Sequence, residues 1–326
     1  MKKTKYILLI ITLLGLASCV KEVDFNGEQS ESLLVINGIQ QVGQPTHLNI
    51  EKSHFFMDAD KDCRVKDLVV DLYVNGAFKE TLMVRDSLLI TTYIDWNGGN
   101  EVEVEQLDYA FNYCEGQYVL CAGDQLRFEV RSSEFDMATV EVAMPDVPNV
   151  ISFETVSVDT ATYTVHFALK LDDPVGADFY NLYPRDGLDG FISSDPVFTD
   201  YMDLYTEDLT GESSDYYGRG PYNVFRDFYF DGKTYTVSLS TSIWELDFQE
   251  PFTLEVSRVD ENLYRYQTTY EAYIESDPES FIGMFTEPVQ VYSNVKNGVG
   301  VVTAQSQPVV FSIDLTSYFL LLTSKF

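Results

Sequence analysis

The sequence predicts a mainly all-β protein of two β-sandwich-like domains, the second carrying one α-helix. Three observations predict it. First, apolar residues recur at period two: Leu126, Phe128 and Val130 alternate with Gln125, Arg127, Glu129 and Arg131. Tyr163, Val165, Phe167, Leu169 and Leu171 do the same against Thr164, His166 and Lys170, and Tyr235, Val237 and Leu239 repeat it. Strands of this kind bury one face and wet the other. Second, Asn75-Gly76 separates Val70–Val74 from Phe78–Val84, and a type I′ hairpin turn needs positive φ at both central residues. Third, the 326 residues include 22 Tyr and 22 Phe, which strands favour. An apolar fraction of 45% excludes a disordered chain, and the length suffices for two domains.

The elements follow in chain order. Met1–Tyr6 is basic, Ile7–Leu14 is a short apolar run, and Leu16-Ala17-Ser18-Cys19 follows. This is the order of a secretory signal, with an apolar core too short to span a bilayer. The tetrapeptide is similar to a lipobox, with small residues at the cleavage point and a thiol for acylation. Residues 1–18 are therefore read as a lipoprotein signal peptide, Cys19 as the lipidation site, and 19–32 as an acylated tether. An ordinary signal with a chance cysteine is the alternative. Each buried methylene contributes about 0.8 kcal/mol, so several acyl chains make a stable anchor. No aspartate directly follows Cys19, and Lys21-Glu22-Val23-Asp24 is similar to surface-export signals, or else is a plain acidic tether. The expectation is an outer-membrane protein facing the cell exterior, with the periplasmic face as the alternative.

Residues 33–145 are expected to form an immunoglobulin-like or transthyretin-like β-sandwich. Pro145-Asp146-Val147-Pro148 then removes ladder donors and favours an extended linker. Residues 149–326 are read as a second β-rich domain with a helix near 261–276, capped by Asp260. Leu263, Tyr266, Tyr270 and Tyr273 share one face of that helix, a stripe that reads as packed core. An aromatic-rich insertion runs near 179–230, with 14 aromatics in the 52 residues from Phe179 to Phe230. Tyr216, Tyr217 and Tyr222 lie there among Asp, Gly and Arg, and aromatics on polar loops stack on sugars or anchor proteins. They are the candidate ligand or partner contacts. Packing of the insertion on the sandwich is the other reading.

The formal charge is −31, and Lys2, Lys3 and Lys5 sit in the signal, so the mature part is more negative. Such a surface argues against nucleic acid as a partner; it serves solubility, or else attracts cations or basic peptides. Cys63, Cys114 and Cys121 remain after lipidation. An exported chain makes one disulfide plausible, with the pairing open. No zinc helix, nucleophile elbow, phosphate loop or dinucleotide loop occurs, and His47, His54 and His166 stand in no triad-like context. No cofactor, metal or catalytic residue is expected. Asp58-Ala59-Asp60-Lys61-Asp62 resembles the start of a calcium loop, but Cys63 stands at its turn glycine and Val69 at its closing glutamate.

Two segments of the second half, Asp195-Pro196-Val197-Phe198-Thr199-Asp200 with Phe230-Asp231-Gly232-Lys233-Thr234-Tyr235, and Glu287–Val295 with Asn297-Gly298-Val299-Gly300, accompany Leu34-Val35-Ile36-Asn37-Gly38 near the tether. Together they resemble the Bacteroidetes lipoproteins grouped as domain of unknown function 4249. Val301-Val302 departs from that pattern, which has a phenylalanine there. Read physically, Asn294 caps a turn through its side chain, and Gly298 and Gly300 supply conformations closed to other residues. The resemblance carries over no activity and no functional residue. It implies a gene encoded near those of TonB-dependent outer-membrane receptors, which supports a surface role by association only. The expected function is that of a non-catalytic, lipid-anchored binding protein, as an accessory to such an importer. The alternatives are a carboxylate-based glycan or peptide hydrolase, and an adhesive or structural envelope protein.

Overall fold

The computed structural model describes residues 31–54, 62–97, 100–159, 161–162, 164–185, 195, 197, 224–242, 251–275 and 289–315. Cys19, Tyr216, Tyr217, Tyr222 and residues 58–61 lie outside them. Residues 32–326 form one compact unit, and its described part is mostly strand with one helix.

Two hydrophobic clusters organise it. The first is closed on one side by β1 (Leu34–Gln41), β2 (Pro45–Lys52) and β6 (Asn100–Val119). On the other side lies a four-stranded sheet of β3 (Val69–Val74), β4 (Ala77–Thr81), β7 (Gln125–Arg131) and β8 (Ala138–Ala143), in the order β4-β3-β7-β8. The period-two reading holds here: Leu126, Phe128 and Val130 of β7 are buried, and so are Val70 and Leu72 of β3. Asn75 and Gly76 have φ of 52° and 81°, the double positive φ that the hairpin turn requires.

The second cluster packs β9 (Val150–Asp159), β10 (Thr164–Asp172) and β13 (Thr234–Ser242) against β11 (Phe179–Pro184), β12 (Val224–Arg226), β14 (Phe252–Val259) and β16 (Val309–Ile313). Its centre is aromatic, with Phe153, Phe167 and Phe252 stacked or tilted at ring distances of 5.2–6.2 Å. Such pairs add about 0.5–1.5 kcal/mol each beyond their burial.

One long sheet runs through both clusters in the order β12-β11-β14-β15-β1-β2-β6-β5, with β16 on β14. Its remaining members are β5 (Met83–Asn97) and β15 (Val302–Gln305). Strand β15 is the junction: it pairs parallel with β1 from Gly38↔Val302 to Gln41↔Gln305, and meets β14 at Val259↔Gln305. Val302 and Ala304, from the end of the chain, are thus buried in the first cluster.

The family-like motifs build this junction. Asn294 both donates to the Val302 carbonyl (2.7 Å) and accepts from its amide (3.0 Å), the side-chain cap expected of it. Asn37 accepts from the Val301 amide at 3.0 Å. Gly300 has φ of 109°, and a Cβ there would stand 2.3 Å from the Ile36 carbonyl oxygen. Gly298 departs from expectation. Its φ is ordinary, and a side chain is excluded by the Leu34 carbonyl, 2.8 Å from where Cβ would be. The left-handed residue in that turn is Asn297, with φ of 59°.

Helix α1 (Glu261–Glu275) begins as predicted, with the Leu263 amide donating to Asp260 Oδ1 at 3.1 Å. The tyrosine stripe differs. Leu263 is buried, but Tyr270 and Tyr273 are 37% and 49% exposed. Tyr266, Tyr270 and Tyr273 stack on one another at 5.7 and 6.5 Å. The rings shield each other along the helix, and only its first turn enters the core. No disulfide joins any two of Cys63, Cys114 and Cys121. Cys114 sits in the first core, Cys121 is exposed, and the Cys63 sulfur lies 3.3 Å from His54 Nδ1. The three thiols therefore occupy different environments, and burial pushes that of Cys114 up to about 12.

Candidate functional site

The densest polar constellation in the described residues is buried, at one end of the second cluster. Strand β10 delivers Asp173 just past its end, Asp178 precedes β11, and Asp227 follows β12. The three carboxylates bring oxygens within 4.8 Å of one another, and the residues are only 5–8% exposed. The local backbone explains the placement. Strands β11 and β12 pair at Phe179↔Arg226, so Asp178 and Asp227 are the next residues of the ladder. The Asp227 amide donates to the Asp178 carbonyl (3.1 Å), and the Asp178 amide donates to Asp227 Oδ2 (3.0 Å). A side-chain oxygen completes the last rung.

Asp173 accepts from the Tyr180 hydroxyl and from the Gly232 amide at 2.9 Å. Arg258, on β14, forms an ion pair with Asp178. Burial, then Asp173 and Asp231, pushes the Asp227 carboxyl up to about 6. Burial also raises Asp173, against the hydrogen bond from Tyr180, and lowers Arg258. Like-charged neighbours and burial both favour the protonated form, which is why Asp227 and Asp173 move upward. Hard oxygen ligands at this spacing are those a divalent cation uses. Here the guanidinium of Arg258 pairs with Asp178, so the arrangement is a hydrogen-bonded ionic network.

The motif Phe230–Tyr235 wraps this end. The Gly176 amide donates to Asp231 at 2.8 Å. Tyr235 donates its hydroxyl to Asp195 (3.0 Å), which also accepts from the Ser238 amide (3.0 Å). Asp195 and Tyr235 belong to the two parts of the first family-like segment, and the fold joins them by that bond. Burial first, and then Asp195, pushes the Tyr235 phenol up to about 12.

Of the acidic run 58–62, only Asp62 is described. Arg64 holds it by a two-point ion pair of 2.7 Å contacts and also reaches Asp86. That pairing holds the Asp62 carboxyl down at about 2. A shallow cavity of about 340 Å³ lies by the β1–β2 turn, lined in part by Thr46, His47, Tyr113 and Glu115. None of the three buried aspartates lines it.

A second feature lies at the surface. The β5–β6 hairpin pairs from Met83↔Glu115 to Asn97↔Asn100, while β2 accompanies β6 only from Asn112 to Val119. Leu88, Leu89 and Ile90 are 57%, 42% and 49% exposed in succession. Sequence reasoning passed over this hairpin. Its signals were present: the turn-forming Asn97-Gly98-Gly99-Asn100, and Val102 and Val104 alternating with Glu101, Glu103 and Glu105. The aspartate cluster had no sequence signal, because its members are 5 to 54 positions apart along the chain.

A sequence model of the family described as Domain of unknown function (DUF4249) matches residues 20–308. No curated protein matches the chain.

Proposed function

The chain belongs to the family described as Domain of unknown function (DUF4249), and on that premise we propose that it is a lipid-anchored outer-membrane lipoprotein. In this reading its β body faces the cell exterior and binds a partner or ligand without catalysis, as an accessory to a TonB-dependent importer. The observation that carries the reading is the succession of segments in the N-terminal sequence: Lys2, Lys3 and Lys5, then Ile7–Leu14, then Leu16-Ala17-Ser18-Cys19. Among the described residues no helix is long and apolar enough to cross a membrane, and a strongly acidic body does not adsorb to anionic lipid. An acyl chain on Cys19 supplies the membrane affinity such a body lacks. Tyr216, Tyr217 and Tyr222 are the proposed contacts of the aromatic-rich insertion.

The test is fractionation and surface proteolysis. Cys19→Ala is expected to move the protein from the membrane to the soluble fraction, and externally added protease is expected to degrade the wild type on intact cells. Membrane retention of Cys19→Ala overturns the anchor, and full protection from protease overturns the exterior orientation.

One observation favours hydrolysis as a second reading: carboxylates Asp173, Asp178 and Asp227 lie close together. Paired carboxyl groups are the machinery of glycoside hydrolysis. Among the described residues they are buried and engaged by Tyr180, Gly232 and Arg258, which favours binding over hydrolysis.

A further inference from the structure

Among the described residues the strands of the β5–β6 hairpin are 15 and 20 residues long, and β5 ends the long sheet. From Ser87↔Phe111 to Asn97↔Asn100 the two strands run on for eleven residues of β5, about 37 Å at the usual strand rise. Along this stretch the only further pairing among the described residues is an isolated bridge, Asp62↔Ala110. A two-stranded ribbon without a third strand or a packed face is marginal in water. A long edge strand is also a template for another chain, and proteins guard such edges with lysine, proline or bulges. Met83–Asn97 contains no lysine and no proline. The one bulge on the ladder falls between Leu89 and Ile90, and exposed Leu88, Leu89 and Ile90 sit at it, where most proteins keep polar side chains.

Charge selects among the occupants. The hairpin Met83–Val119 holds seven acidic residues and one basic residue, Arg85, a formal charge of −6. A second copy docked edge to edge would bring two hairpins of −6 side by side, and an anionic bilayer would be repelled for the same reason. An extended segment alternating basic and apolar residues satisfies all the groups at once: backbone to the edge of β5, apolar side chains to Leu88 and Ile90, and cations to the acidic positions. We propose that the outer edge of β5, with exposed Leu88 and Ile90 in the acidic β5–β6 hairpin, is the docking site for a basic, apolar-alternating strand of a partner protein. This deepens the binding reading above and rests on it only for the existence of an external partner.

The test uses the acylated full chain in detergent, with a labelled twelve-residue peptide alternating lysine and valine as probe. A glutamate–valine peptide of equal length is the control. The lysine peptide is expected to bind at low salt, to weaken as salt rises, and to protect the amides of residues 83–97 from hydrogen exchange. The glutamate peptide is expected to give neither effect. Leu88→Lys with Ile90→Lys, at exposed positions where the thermal midpoint should hold, is expected to weaken binding at least tenfold. Equal binding of both peptides, protection confined to other strands, or undiminished binding by the double variant overturns the proposal. So does concentration-dependent self-association through residues 83–97, or insertion of the hairpin into anionic vesicles. Because these assays use purified protein, their failure leaves the Cys19 and protease results standing, and the reverse also holds.

Discussion

Asp227 shows how a single buried carboxyl sets a pH response. Its folded-state pKa, about 6, lies above the unfolded value of 3.8, so between those values the folded state binds more protons than the unfolded one. Stability must then fall as pH rises through this window, the opposite of the usual salt-bridged aspartate. Asp227→Asn keeps an acceptor for the Asp178 amide and removes the charge that Asp173 and Asp231 oppose. The variant is expected to match the wild type near pH 4 and to melt about 1–2 °C higher at pH 7.5, the shift that about 1 kcal/mol gives in a chain of this size. Thermal denaturation at the two pH values decides it, and a variant that melts lower at pH 7.5 sinks the assignment. Asp62 runs the other way, because Arg64 holds its carboxyl at about 2; its contribution is lost as pH falls from about 4 toward 2.

At the scale of elements, α1 offers a two-sided test. Asp260 caps the helix through Leu263, yet burial pushes its carboxyl up to about 6. Cap and charge therefore pull in opposite directions above that pH. Asp260→Ala is expected to cost about 1 kcal/mol, the usual value of a lost cap. Asp260→Asn retains the cap oxygen without the charge and is expected to equal or exceed the wild type at pH 8. Denaturant titration of both variants separates the two effects. The Asp260 cap was legible in sequence because it is local: an aspartate directly before a helical pattern has one neighbourhood to serve. The tyrosine stripe of the same helix was not. Periodicity shows which side chains share a face, but only the neighbouring strands decide how far along that face the core extends, and here it stops near Leu263.

For the whole molecule, the decisive element is the return of the chain end to its beginning. Strand β15 lies between β1 and β14, so the first core lacks Val302 and Ala304 until residues 289–305 arrive. A fragment of residues 20–148 alone exposes the edge of β1 and two unfilled core positions. It is expected to be less stable than the same residues in the full chain and prone to aggregation, and addition of a peptide covering 289–308 is expected to recover folded signal. Circular dichroism with and without the peptide checks this, and a fragment as stable as the full chain refutes the shared core.

What the sequence by itself determined is what depends on near neighbours. The alternation of Leu126, Phe128 and Val130, the Asn75-Gly76 turn, the Asp260 cap and the all-β class all follow from periods of two or from a few adjacent residues. The segments Leu34–Gly38 and Asn297–Gly300 were recognisable as a pattern, but not their meeting: Asn37 receives the Val301 amide across 264 positions. Only the tertiary structure decided that contact, the union of Asp173, Asp178 and Asp227, and the place of β5 at the end of the long sheet among the described residues. The physical reason is common to all three. Backbone hydrogen bonding and burial are settled between strands, and a chain read in order does not state which strands will be side by side.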